Sequence, residues 1–443
     1  MTQYDDADGT DLSDGRRVRI ETLGCRLNEA EAEEWAEHFR ARGFRVVDSD
    51  EPADLVVVNT CAVTQQAVRK SRQLLRRGQR VNPRARLVVS GCVATLGDAA
   101  LSAQPGVDLV VANRDKDRLV EIALERLDLP TMPGLAIDDT ASALFARGRQ
   151  RAFIKVQDGC RYQCTFCITT RARGEERSRS PAAIIGAIDR LVERGIQEVV
   201  LTGVHLGGYG SDLGSDLSEL IAGILAGTDL PRLRLGSLEP WGLDDAFWDL
   251  FADPRLMPHL HLPLQSGSDR VLRRMARRCK TAAFAGLVAQ GRAAVPDLNI
   301  TTDLIVGFPG EDAEDWRQTL ELVESMRFGH IHAFAYSPRA GTLAASMPDQ
   351  VDGETKRARL DALQTLARRS RREVLQARIG RCVQVLCEGD PKSEPRATRF
   401  GYTPDYLPVR IAGDHGAIGG NQLLQVRLIA LAADGLTLTA RPE

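Results

Sequence analysis

The chain has 443 residues, 43% of them hydrophobic, and a formal net charge of -2. That length exceeds one ordinary domain and points to two to four at ~150 residues each, and the apolar share is enough to bury large cores. The near-neutral total excludes a chain coated in basic charge while leaving room for local basic patches.

Residues 1–16, starting MTQYDDADGTDLSDG, are acidic and polar and are expected to form a disordered tail. They have neither the basic leader nor the apolar core of a signal peptide. No apolar run in the chain is long enough to cross a bilayer, so a cytoplasmic protein with no membrane partner is expected. There are nine cysteines. An odd number in such a compartment favours metal binding or catalysis over disulfides.

Residues 17–128 alternate β-branched apolar runs (VRIETL, DLVVVNT, RLVVSG, DLVVA) with helical patterns over 28–42 and 64–79. Gly43 fits the stop of the first helix. Strands alternating with helices predict an α/β unit built on an open, mainly parallel sheet. Residues 129–150 mix Pro, Gly, Ser and Asp with weak periodicity and read as a linker.

Six strand candidates follow in residues 151–378: AFIKVQ, QEVVLTG, RLRLGS, HLHLPL, NITTDLIVG and HIHAFAYS. Each gap can hold a helix. In the first, Ser180 caps, Pro181 takes the first helical position and Ile184, Ile185, Ile188, Leu191 and Val192 make one apolar face, with Gly195 closing it. Repeated βα units of this kind predict a partial (β/α)6 barrel with a lateral opening for a large substrate. A basic helical stretch over 353–379 carries Lys356, Arg357, Arg359, Arg368, Arg369, Arg371, Arg372 and Arg378. Residues 379–443 hold the short strand-like runs CVQVLCE, YLPVRI, LLQVRLIAL and LTLTA, which fit a small β-barrel.

Cys160, Cys164 and Cys167 lie in GCRYQCTFC, just after the first barrel strand, where parallel α/β barrels carry their chemistry. The CxxxCxxC spacing lets one loop present three thiolates to one face of a cubane cluster. Such clusters usually take four cysteine ligands, so three leave one iron open. The alternatives are a zinc site, which usually shows two paired CxxC knuckles, or three buried thiols. The motif, Phe166 before its last cysteine and the six-unit barrel resemble the radical S-adenosylmethionine superfamily. The resemblance implies that a 4Fe-4S cluster on these cysteines chelates S-adenosyl-L-methionine and reduces it to a 5′-deoxyadenosyl radical, with electrons from an external donor. LTGVHLGGYG, SLEP and TDLIVGFPGE match at the positions expected of that family, which puts Phe166, Glu239 and Gly307 near the cofactor.

Cys25, Cys61 and Cys92 are far apart, yet each follows a predicted strand, in ETLGC, VVNTC and VVSGC. The carboxyl ends of parallel strands line one edge of a sheet, where ligands bind. The three therefore converge on a metal site or are three small buried hydrophobes. Here TLGCRLNEAEAE, VVNTCAVT and VSGCVA resemble the N-terminal domain of methylthiotransferases. RARGEERSRSP, HLPLQSGSDRVLRRMARR and TDLIVGFPGEDAEDW continue the match, and the C-terminal piece resembles a TRAM domain, a small RNA-binding barrel. The resemblance implies a second 4Fe-4S cluster on Cys25, Cys61 and Cys92, where sulfur is methylated and delivered.

Within the family, LGCRLN most resembles the branch that methylthiolates C2 of N6-threonylcarbamoyladenosine beside the anticodon of tRNA. The other branches act on N6-isopentenyladenosine in tRNA or on an aspartate of a ribosomal protein, and the rival of another class is a non-catalytic iron–sulfur RNA-binding regulator. ITTRARG departs from the family's usual IIPYARG. Three basic groups fit an RNA partner: Arg69, Lys70, Arg72, Arg76, Arg77 and Arg80; Arg273, Arg274, Arg277, Arg278 and Lys280; and the stretch before the last barrel. His259 with His261, and His330 with His332, alternate on strands as a metal pair or as independent histidines. Cys279, Cys382 and Cys387 read as structural.

Overall fold

The computed structural model describes residues 16–48, 51–81, 83–97, 106–129, 151–388, 398–412 and 420–443. Except for Arg16 and Leu129, the expected tail and linker lie outside these residues. The chain divides into two compact units, Met1–Ala143 and Leu144–Glu443.

The first unit runs β1 (Arg17–Thr22), α1 (Arg26–Arg40), β2 (Arg45–Val46), β3 (Leu55–Thr60), α2 (Gln65–Val81), β4 (Arg86–Gly91), α3 (Cys92–Thr95), β5 (Leu109–Val111) and α4 (Leu119–Arg126). Its sheet has the order β2-β1-β3-β4-β5, and every neighbouring pair is parallel. The central strand, LVVVNT, is buried at every position, as expected where helices cover both faces. Trp35 and Phe39 of α1 and Leu119, Val120 and Ala123 of α4 pack with Val18, Val57 and Val88 of the strands. Within this unit a buried ion pair joins Lys116 Nζ to Glu31 at 2.5 Å, and Asn59 of β3 donates to the same carboxylate at 3.0 Å. The two-residue β2 is too short to leave a period in the sequence.

The second unit begins β6 (Arg151–Lys155), β7 (Gln157–Asp158), α5 (Thr169–Arg173), β8 (Arg177–Ser178), α6 (Pro181–Glu193), β9 (Glu198–Thr202), α7 (Leu217–Gly227), β10 (Arg232–Leu235) and α8 (Asp245–Asp249). It continues β11 (His259–His261), α9 (Asp269–Arg274), α10 (Thr281–Ala294), β12 (Asn299–Val306), α11 (Ala313–Met326), β13 (His330–Ala335) and α12 (Gly353–Gln376). Strands β6, β9 and β10 form one parallel sheet and β11, β12 and β13 another. Parallel bridges Leu233–Leu256 and Ser237–His261 join them. The six expected strands therefore follow in chain order as an arc. Ser180 caps α6, accepting from the Ala183 N–H, with Pro181 at the first turn, and Ile184 and Ile188 are buried.

Alternation along the strands decides what faces where. Leu201, Leu233, Leu235, Leu260, Ile300, Leu304 and Ile331 join the helices in the apolar core. The intervening residues line the arc's lumen and are mostly polar. At its floor the Glu198 carboxylate, fully buried, meets Arg151, Arg232 and Arg234 at 2.9–3.0 Å. Burial alone would raise that carboxyl's pKa, but the three guanidiniums outweigh it and hold it well below the usual carboxylate range.

Strands β14 (Cys382–Glu388), β15 (Thr398–Tyr402), β16 (Pro408–Ala412), β17 (Gln422–Leu431) and β18 (Leu438–Pro442) close a barrel in the order β14-β15-β16-β18-β17. β15 is a fifth strand beyond the four runs read from sequence. The turn after it seats on the floor of the arc. Arg232 and Arg234 donate to the carbonyls of Thr403 and Pro404, each at 3.0 Å, and Asn299 to that of Asp405 at 2.7 Å. Tyr406 takes the Arg234 guanidinium over its ring at 4.6 Å. The arginines that neutralise Glu198 thus also anchor the C-terminal barrel.

Candidate functional site

The central cysteines lie on a loop whose two stems are tied together. β7 and β8 pair antiparallel, Gln157 with Ser178 and Asp158 with Arg177, and Arg173 bonds Asp158 at 2.9 Å. Gly159 turns the chain into the loop at φ +74°; a Cβ there would lie 1.8 Å from the Glu175 carbonyl oxygen, so only glycine fits. The Cys160 N–H donates to Gly174 O at 3.1 Å and the Cys167 N–H to Cys164 O at 3.0 Å. Each sulfur has a donor: the Tyr162 backbone N–H on Cys160, the Thr169 N–H on Cys167 Sγ at 3.4 Å and Arg277 Nη1 near Cys164 Sγ at 3.9 Å. Burial pushes the Cys160 thiol up to about 12 and raises Cys164. A bare thiolate is therefore disfavoured here. A metal ion reverses that balance, because it deprotonates the thiols it binds. Three converging thiols with N–H donors on their sulfurs fit a cluster that lacks a fourth protein ligand.

Glu239 follows β10, and Arg277 connects it to the cysteine loop. The guanidinium meets Glu239 at 2.7 Å, donates to Pro263 O at 2.7 Å and stacks over Trp241 at 4.7 Å. Trp241 packs edge-on against Tyr162 of the loop, and Tyr162 against His205, whose Nδ1 lies 2.7 Å from Glu176. On the other side Phe166 packs edge-on against Phe308, and Phe308 against Tyr336. Gly307, beside Phe308, sits at φ +68°, and a Cβ there would meet Lys356 Cγ at 2.4 Å. The structure thus gathers Cys164 with Glu239 through Arg277, and Phe166 with Gly307 through Phe308. Sequence reasoning missed Arg277, grouping it with exposed cations. Its side chain is 4% exposed, and neighbouring Arg274 is spent on the Pro309 carbonyl. Nothing in local sequence marks which arginine of a basic run turns inward.

The dispersed cysteines occupy the carboxyl ends of three adjacent strands. Cys61 directly follows β3 and Cys92 directly follows β4, and the register pairs Thr60 with Gly91, so the two cysteines leave neighbouring strands at one level. Cys25 follows β1, which pairs with β3 through Thr22 and Asn59. It is the N-cap of α1, at the positive end of that helix. Gly24, at φ +114°, has no room for a Cβ, which would sit 2.7 Å from Cys61 Sγ. Cys61 and Cys92 are buried, and Asn113 Nδ2 points to Cys92 Sγ at 3.7 Å. The buried Asn59 Oδ1 and Ser90 Oγ beside them have no hydrogen-bond partner among the described residues. This thiol set, with spare polar atoms at a sheet edge, fits a metal group.

The other sequence features divide. Cys279 and Cys387 are core residues, while Cys382 is exposed and donates to Glu443. The helix before the last barrel spends much of its charge internally: Arg359 pairs with Glu311, Arg371 donates to His330 and Arg378 pairs with Asp405. α2 has no acidic residue, and Arg69, Lys70, Arg76, Arg77 and Arg80 are exposed. Among the described residues no helix is long and apolar enough to cross a membrane.

Residues 17–112 match a family described as uncharacterized protein family UPF0004, and residues 154–323 match the Radical SAM superfamily. The threonylcarbamoyladenosine tRNA methylthiotransferase MtaB of Bacillus subtilis (strain 168) is 34% identical over 433 residues, covering 93% of each chain. Its namesake from Thermotoga maritima is 38% identical over 84% of this chain and 87% of its own. The tRNA-2-methylthio-N(6)-dimethylallyladenosine synthase of Anaeromyxobacter sp. (strain K) is 36% identical over 96% of this chain and 94% of its own. Among solved structures, the radical S-adenosylmethionine methyltransferase TsrM from Kitasatospora setae matches with a TM-score of 0.56 at 16% identity, over 74% of this chain and 75% of that one. That last likeness is one of fold.

Proposed function

The chain belongs to the radical S-adenosylmethionine tRNA methylthiotransferases, and from that premise we propose that it methylthiolates C2 of N6-threonylcarbamoyladenosine beside the anticodon. Membership brings S-adenosylmethionine and a 4Fe-4S cluster. In our reading Cys160, Cys164 and Cys167 hold that cluster, and Cys25, Cys61 and Cys92 hold a second.

Bound together, cluster and S-adenosylmethionine supply one-electron cleavage of a sulfonium, and the protein supplies position and water exclusion. Thr169 and Arg277 direct N–H groups at the cysteine sulfurs. Arg277 also fixes Glu239, so the carboxylate is presented as an oriented acceptor for the amino acid or ribose part of the cofactor. The Phe166–Phe308–Tyr336 stack walls the opposite side, and Gly307 allows backbone to approach a ligand closely. At the first unit, Cys25 at its helix start and the unpartnered Asn59 and Ser90 oxygens support thiolate ligation and polar contact to what is held there.

One observation carries the substrate branch: the character of the barrel lumen. Its strand residues include His259, His261, Asp303, His330 and His332, with Arg371 bonded to His330. A threonylcarbamoyl group is polar and carries a carboxylate, whereas an isopentenyl group is a hydrocarbon. A polar lumen of imidazoles, one carboxylate and the Arg371 guanidinium suits the former better than the latter. The second reading is the isopentenyladenosine substrate, favoured by relatives of that branch at comparable identity. Anaerobically reconstituted protein incubated with each tRNA, followed by mass spectrometry of nucleosides, separates them. We expect a methylthio gain on N6-threonylcarbamoyladenosine together with 5′-deoxyadenosine. A gain on isopentenyladenosine alone overturns the branch, and cofactor cleavage without any modified tRNA overturns the tRNA substrate.

A further inference from the structure

Three side chains from consecutive strands meet in the lumen. His261 ends β11, Asp303 lies within β12 and His332 within β13, and one ligand atom of each lies within 4.8 Å of the others. The register causes this. Asp303 pairs directly with His332, and His261 pairs with Thr301, the next residue of β12 on the same face as Asp303. Their chain neighbours Leu260, Leu304 and Ile331 are in the apolar core, so all three point inward.

The set has an organised surround. His261 Nε2 lies 3.2 Å from Asp303 Oδ1, and its Nδ1 lies 2.9 Å from Thr301 Oγ1. A ligating histidine almost always spends its second nitrogen on such a partner, which fixes ring and tautomer. The His332 ring lies 5.5 Å from that of His261, centroid to centroid, and 4.4 Å edge-on from that of His330, which Arg371 holds at 3.1 Å. Two imidazoles and one carboxylate on one side of a site, with open positions opposite, make a donor set for divalent transition metals. The mechanism described above uses none of the three as a ligand.

We propose that His261, Asp303 and His332 bind one divalent transition-metal ion in the barrel lumen, separate from both cysteine triplets. The ion takes the place between His261 Nε2 and Asp303 Oδ1, and the neutral imidazole carries its one proton on Nδ1, beside Thr301 Oγ1. Its open positions face the lumen and accept an oxygen or nitrogen ligand.

The test uses anaerobic holoenzyme carrying its iron–sulfur clusters, equilibrated with zinc, freed of loose metal and measured for zinc and iron. We expect about one zinc per chain, bound at least about tenfold more weakly after Asp303→Ala or His332→Ala with iron content unchanged. Zinc-edge X-ray absorption on the wild type removes dependence on how the variants fold. Nitrogen and oxygen neighbours at ~2.0–2.1 Å support the site, and sulfur at ~2.3 Å places the ion on cysteines and overturns it. No retained zinc, or equal retention by the variants, overturns it as well.

Discussion

The two cysteine triplets solve one problem in opposite ways. The triplet of the second unit lies on a single short loop. A two-stranded clamp, one positive-φ glycine and a few N–H groups suffice to shape it. The triplet of the first unit is drawn from three strand ends, and its geometry is the register of a whole parallel sheet. The loop triplet should therefore tolerate damage far from it, and the strand-end triplet should feel any loosening of the sheet.

The largest expected effect separates the two directly. Cys164→Ala should abolish 5′-deoxyadenosine formation under reducing conditions, because in the proposed assignment the open-iron cluster loses one of its three ligands. If Cys61 ligates the proposed second cluster, Cys61→Ala should keep that formation while abolishing methylthio transfer, with iron falling by about half. Chromatography of the deoxyadenosine and iron analysis read both. If Cys61→Ala also stops cofactor cleavage, the division of labour between the triplets is wrong.

Next come the buried charges that brace each unit. Lys116→Met removes the cation from Glu31, at a cost of about 3–5 kcal/mol. Amide exchange in β1, β3 and β4 should speed by about a hundredfold or more, and iron should fall as in Cys61→Ala with cofactor cleavage retained. Glu198→Gln strips three buried arginines of their shared anion, with a similar cost of about 3–5 kcal/mol, and should loosen β9 and β10 instead. The sign of its pH dependence follows from a depressed folded pKa. The stabilisation is present above the unfolded carboxylate value of ~4.3 and is lost as pH falls from there through the folded value. The wild type should lose protection in that acid window while Glu198→Gln does not. Equal acid loss in both would remove Glu198 from the account.

The same contrast explains what the sequence made legible. CxxxCxxC is a local signal, and a local structure answers to it. The strand-end cysteines were readable because three similar contexts, TLGC, VNTC and VSGC, each put a cysteine one to three residues past an apolar run. Parallel pairing then does the rest. All six barrel strands were visible as apolar or β-branched runs, but β15 was not, because TRFGY gains its burial from barrel closure rather than from a period of its own. Arg277 was visible as a charge and not as a hydrogen-bond donor to sulfur, since inward or outward direction at a short helix's end is set by tertiary packing. The meeting of His261, Asp303 and His332 depends on strand register, which no single run encodes.

A smaller effect probes that inward arginine. Arg277→Met removes a positive donor beside Cys164 Sγ. A cation near a cluster favours its reduced, more negative state, so the midpoint potential should become more negative, read by electron paramagnetic resonance during a redox titration. An unchanged potential with iron retained would make Arg277 a purely structural tie to Glu239.

The smallest expected effect distinguishes the basic surfaces of the two units. Arg69, Arg76 and Arg80 recur at helical spacing on the exposed side of α2, opposite the buried Val68, Ser71, Leu75 and Gly78, and no carboxylate on that helix competes for them. Arg359 of α12 is instead paired with Glu311, which is 1% exposed. Each cation that neutralises an RNA phosphate releases a counterion, so the slope of log affinity against log salt counts such contacts. Arg76→Ala should lower that slope for tRNA by about one with cofactor cleavage and stability unchanged. Arg359→Ala should leave the slope alone and destabilise the second unit, since it leaves a buried carboxylate without its partner. If the slope falls for Arg359→Ala and not for Arg76→Ala, the RNA-facing charge lies on the unit that holds the loop triplet, and the assignment of α2 to RNA fails.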